Sequence, residues 1–188
     1  ATTLDDALTT QPVGYTTDGQ TLYWLDSRGR DTAALVAEVA GERRVIAEDA
    51  RADIGGILAH PLTGEVQAYA VEYLTKDWIG LDPVIGATLA SLKKRLGGDV
   101  EVTSRTDDDR RWTVAVDPVT GPPSVQLYDR DADQLELFYL SRPELADAPL
   151  VPMQPVEISA RDGLTLTAYL TRPSGANAPT PMVLLVHG

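Results

Sequence analysis

From Asp18 to Leu140 the chain is divided into short stretches of alternating apolar and polar residues, each closed by turn-forming residues. Alternation with period two puts successive side chains on opposite faces of a sheet, so this punctuation restricts the fold to closely spaced antiparallel strands. Leu22 and Trp24 alternate with Tyr23 and Leu25 between Thr21 and Asp26, and the polar tip Ser27 to Asp31 follows. Strands are expected next from Ala33 to Val39 and, after the Gly41-Glu42 turn, from Arg43 to Ala47. A comparable unit spans Ile54 to His60, a turn at Pro61 to Gly64, and Glu65 to Tyr73. Further strands are expected at Val100 to Ser104, Trp112 to Val116, Val125 to Tyr128 and Leu135 to Leu140.

One segment breaks the period. Asp82 suits a helix N-cap and Pro83 the first helical position, while Ile85, Leu89, Leu92 and Leu96 recur along one face. Lys93, Lys94 and Arg95 favour the negative end of the helix dipole, and Gly97 suits a left-handed terminus. An amphipathic helix laid on a sheet is therefore expected between the strands.

With 188 residues and 43% apolar content the chain can build a sizeable core. Its formal net charge of −12 argues against nucleic acid as a partner, because a phosphate backbone is bound by basic surfaces. Cysteine is absent, which excludes disulfides and thiolate metal sites and leaves the compartment undetermined between cytoplasm and periplasm. Apolar runs such as Met182 to Val186 fall far short of the roughly 20 residues a spanning helix needs, so no membrane segment is expected. Ala1 to Thr10 carries Asp5 and Asp6 where a secretory signal would be basic.

Meanders recurring about every 40 to 50 residues are the pattern of propeller blades, and two to three would fit. A closed propeller needs about four or more, so this stretch alone cannot complete a ring. Arg142 to Pro155 then holds Pro143, Pro149, Pro152 and Pro155, which suits a connector better than a sheet interior, and a domain boundary is placed near Pro149. Past it, Val156 to Ala160 and Leu164 to Thr171 read as a hairpin around Arg161-Asp162-Gly163, followed by a loop through Pro173, Gly175, Asn177, Pro179 and Pro181. Met182 to Val186 is apolar at every position, as in a strand covered on both faces of an α/β layer.

The span from Val156 through Arg161-Asp162-Gly163 to Pro173, then Pro181 to His187-Gly188, resembles the entry to the peptidase domain of the prolyl oligopeptidase family of serine peptidases. Its acylaminoacyl-peptidase-like bacterial branch is the most similar. Asp18 to Trp24, Ser27 to Asp31 and Ser104 to Trp112 resemble that family's propeller blades. The resemblance implies a mainly β chain: residues 1–149 as the C-terminal part of a β-propeller with one inserted helix, and residues 150–188 as the truncated opening of an α/β-hydrolase domain. It further implies that His187 and Gly188 begin the loop that helps form the oxyanion hole, and that the catalytic Ser, Asp and His all lie downstream. None of the chain's serines sits in a G-x-S-x-G nucleophile elbow, so the fragment itself is expected to be inactive and to need no cofactor. The intact parent would take peptide or acyl-peptide substrates, and the fragment would keep the rest of the peptidase domain as a partner or self-associate.

Two other readings remain at this stage: a non-catalytic propeller-type module that binds peptides or proteins, and a lipase- or esterase-like hydrolase with a β-rich leader. Other clusters have plainer explanations than chemistry. Asp129, Asp131 and Asp133 open with calcium-loop spacing, but Gln134 and Leu140 occupy the positions needing glycine and glutamate. Asp107 to Asp109 beside Arg110 and Arg111 reads as a charged turn, and Trp24, Trp78 and Trp112 as packing residues. Arg28 and Arg30 read as partners of Asp26 or Asp31, and His60 as part of a turn.

Overall fold

The computed structural model describes residues 4, 6–176 and 178–186. Strands β1 (Gln11–Tyr15), β2 (Thr21–Asp26), β3 (Ala34–Val39) and β4 (Glu42–Ala47) form the first sheet in chain order. The second contains β5 (Ile54–Ala59), β6 (Val66–Glu72) and β7 (Lys76–Gly80), and helix α1 (Pro83–Leu96) follows it. Strands β8 (Asp99–Arg105), β9 (Arg111–Asp117), β10 (Ser124–Asp129) and β11 (Gln134–Leu140) make the third sheet, again a simple meander. A separate hairpin, β12 (Met153–Ser159) and β13 (Thr165–Thr171), completes the order. Every pairing is antiparallel, so the chain is mainly β with a single α-helix among the described residues.

The middle sheet is apolar on both sides. One cluster joins Tyr23, Leu25, Leu35 and Ala37 of the first sheet to Ile54 and Val71 of the second. The other joins Leu58 and Ala68 of the second sheet to Ile85, Leu89 and Leu92 of the helix and Val100, Trp112, Val114 and Val116 of the third. Polar links reinforce the stacking: Ile54 N–H donates to Ala33 O at 2.9 Å, Thr17 N–H to Thr63 O at 2.8 Å, and Trp78 Nε1 to Val100 O at 3.0 Å.

The helix begins as its sequence implies: Asp82 Oδ1 accepts from Val84 N at 2.8 Å and Ile85 N at 3.0 Å, and Pro83 occupies the first turn. Gly97 ends it with a positive φ of 67° but an extended ψ of 171°, not the left-handed conformation expected. Ile85, Leu89 and Leu92 are buried. Close approach to β7 requires two glycines, because a Cβ on Gly80 would lie 2.4 Å from Gly86 Cα.

The first and third sheets share a turn. Thr16 N–H donates to Thr21 O (2.9 Å), Gly19 N–H to Thr16 O (2.7 Å), and Thr16 Oγ1 bonds Asp18 Oδ1 (2.7 Å) while accepting Thr21 N–H (3.0 Å). Thr106, Asp108, Asp109 and Arg111 repeat all four bonds at the same offsets. Gly19 and Asp109 hold the same left-handed position, at φ 71° and 56°.

Three expectations need correction. Met182–Val186 is not a strand: it is irregular and exposed, from 66% at Val186 to 93% at Val183. A strand wetted on neither face needs cover on both sides, and no element among the described residues supplies it. Strand β12 begins at Met153 and includes Pro155, which a two-stranded ribbon tolerates because it has an open edge. Strands β1 and β7 were not foreseen; Gln-Pro-Val-Gly-Tyr and Lys-Asp-Trp-Ile-Gly carry little alternation, and pairing with β2 and β6 decides their conformation.

Candidate functional site

A cleft of about 1030 Å³ opens at one end of the stack. It lies between the β6–β7 turn, the open face of the third sheet and the hairpin β12–β13. Tyr73 and Thr75 come from the turn, Glu101, Thr113 and Tyr139 from the sheet, and Thr167 and Tyr169 from the hairpin.

Lys76 is its cationic group, held 3.0 Å from Glu72 Oε1 and 2.5 Å from Glu101 Oε2. Burial alone would favour the neutral amine, but bonds to Glu101 and Glu72 outweigh it and raise the Lys76 pKa. A lysine held charged in this way is a poor nucleophile, so Lys76 organises carboxylates instead of attacking a carbonyl. Thr103 and Thr113 hydroxyls bond each other at 2.8 Å. The cleft therefore offers hydroxyls, aromatic rings and acidic groups for binding, and among the described residues no serine hydroxyl is bonded to a histidine.

The residues singled out by sequence separate clearly. His187 and Gly188, the expected start of the oxyanion loop, lie outside the described residues, as do Asn177 and Asp5. His60 Nδ1 accepts from Leu62 N and Thr63 N, both at 3.2 Å, and so closes the β5–β6 turn. Asp129 accepts the backbone N–H groups of Asp131 and Ala132, while Asp133 bonds Tyr128 Oη and Arg95. The Tyr128 and Arg95 bonds hold the Asp133 carboxyl below its ordinary range. Arg28 does pair with Asp26, but Arg30 reaches Glu48 and not Asp31.

Trp112 is buried, whereas Trp24 and Trp78 are only partly covered, and Arg43 sits 4.6 Å from the Trp24 ring centre.

Sequence reasoning missed what Asp109 does. Its Oδ1 accepts from Arg105 Nε at 2.5 Å and Trp112 Nε1 at 2.8 Å, and its other oxygen pairs with Arg130. Arg105 continues across the interface, donating to Ala59 O at 3.1 Å and Gln67 Oε1 at 2.9 Å. One charged turn residue thus ties the third sheet to the second. The signal was available in principle, since Asp109 occupies the glycine position of the repeated turn.

No family model matches the chain. Two curated proteins are similar over 98% of its length: dipeptidyl aminopeptidase BIII of Pseudoxanthomonas mexicana, 50% identical over 194 aligned residues, and dipeptidyl peptidase family member 6 of Caenorhabditis elegans, 26% identical over 210. The chain spans 28% of the length of each.

Proposed function

We propose that this chain is the propeller-to-hydrolase junction of a serine peptidase of the prolyl oligopeptidase family that releases dipeptides or short peptides. The supporting observation is that a dipeptidyl aminopeptidase is 50% identical across 98% of the chain. In this reading the three stacked meanders are blades of a β-propeller, residues 150–188 open the α/β-hydrolase domain, and His187-Gly188 begins the oxyanion loop. The reaction is acyl transfer. A serine oxygen adds to the scissile carbonyl, its proton passes through histidine to the leaving amine, and water then hydrolyses the acyl-enzyme. The serine, the histidine and the aspartate that orients it belong to downstream sequence in this reading, and this chain contributes the sheets that restrict access and the first wall of the substrate chamber.

The test extends the coding sequence past Gly188 to the length of the curated relatives and assays a dipeptidyl chromogenic amide. Activity in the extended protein, abolished by a serine-directed organophosphate and absent from the 188-residue chain, is the expected result. An extended protein without a G-x-S-x-G elbow, or unable to cleave any dipeptidyl amide, would leave the non-catalytic binding module as the better reading.

A further inference from the structure

The hairpin β12–β13 is attached to the sheets in an unusual way. Neither apolar cluster includes a hairpin residue, and Ile158, Leu166 and Tyr169 are about half exposed. Among the described residues, two side-chain hydrogen bonds tie it to the sheets, and both end on the β6–β7 turn. Tyr73 Oη donates to Glu157 Oε1 at 2.7 Å, and Tyr169 Oη donates to Leu74 O at 3.1 Å. Each partner thus offers a tyrosine to an acceptor on the other. The Arg51 guanidinium lies 4.5 Å from the Tyr73 ring centre and fixes that ring from the side of the sheets.

Among the described residues, the Arg142–Pro152 linker ahead of the hairpin makes hydrogen bonds only within itself. Leu145 N–H donates to Arg142 O, Ala146 to Pro143 O, Ala148 to Leu145 O and Leu150 to Ala148 O, so its turns are local. Exposed hydrogen bonds exchange readily with water, whereas a self-contained turn keeps its shape when its ends move. Tyr73 and Tyr169 both line the cleft, so the attachment is also part of its wall.

We propose that Tyr73 and Tyr169 form a reciprocal latch that sets the width of the cleft, and that the hairpin swings outward about the Arg142–Pro152 linker when the latch opens. The bond to Glu157 also lifts the Tyr73 phenol above its ordinary pKa, in keeping with a donor held on a carboxylate. The latch does not depend on the peptidase reading, since its test reads a distance and no hydrolysis.

Because the chain has no cysteine, Glu136→Cys on β11 and Arg161→Cys at the hairpin tip give two clean spin-label sites on the full chain. With the latch intact, pulsed electron paramagnetic resonance should give one narrow distance distribution. Adding Tyr73→Phe and Tyr169→Phe should shift it to longer, broader distances, and Glu157→Ala alone should produce a smaller shift in the same direction. Far-UV circular dichroism and an unchanged melting midpoint verify that the sheets remain folded; should the double variant not fold, Glu157→Ala carries the test. An unshifted distribution in the folded variants overturns the proposal.

Discussion

Asp109 shows how much one side chain can hold. It is 8% exposed, adopts φ 56°, and bonds Arg105, Arg130 and the Trp112 indole. Removing it leaves Arg105, whose side chain is 5% exposed, without its counter-ion. A buried charge stripped of its partner costs about 3–5 kcal/mol, so Asp109→Ala should lower the unfolding free energy by that order in urea titration, with the slope unchanged. Asp26 behaves differently because its effect depends on pH. The bond to Arg28, aided by Arg28 N–H, holds its carboxyl below the ordinary value of 3.8. A depressed folded-state pKa contributes stability above the unfolded value and loses it as pH falls through the folded one. Stability should therefore decline below about pH 4, and Asp26→Asn should flatten that decline in acid titrations followed by circular dichroism.

At the level of elements, glycines separate two kinds of constraint. At Gly80 a methyl group would meet Gly86 Cα at 2.4 Å, so Gly80→Ala must push α1 off β7. Overpacking of this kind costs about 1–3 kcal/mol. Gly97 has open space around its missing Cβ but sits at φ 67° and ψ 171°, a region that side-chain-bearing residues hardly enter, so Gly97→Ala should cost about 1–3 kcal/mol through backbone strain alone. Thermal melts of both variants should show lowered midpoints. The helix was legible because Asp82, Pro83 and Gly97 are local signals whose meaning needs no tertiary partner. Strands with clear alternation, such as Trp112, Val114 and Val116 on one face, were legible for the same reason. What escaped was decided at a distance: β1 and β7 acquire strand conformation by pairing, and Met182–Val186 shows apolarity without the neighbours that would make it a strand. In the cleft, the Glu72–Lys76–Glu101 group assembles β6, β7 and β8, a juxtaposition invisible to any window along the chain.

For the whole molecule, the run at Met182–Val186 is a liability. Leu184 and Leu185 are 76% and 92% exposed, and apolar surface of that kind drives association. Light scattering of the 188-residue chain should show a mass that rises with concentration, and Leu184→Asp with Leu185→Asp should return it toward the monomer. A mass that stays monomeric at all concentrations would mean that this segment finds cover within its own chain. The cleft and the latch draw on the β6–β7 turn of the second sheet as well as on the third sheet and the hairpin, whereas no strand of the first sheet lines the cleft.

The consecutive strand order has a consequence for synthesis. Each of the three meanders pairs only strands that are neighbours in the chain, so no sheet waits for residues made much later. On the ribosome, the first layer can zip up while the second is still being translated, and the third can settle onto a template already in place.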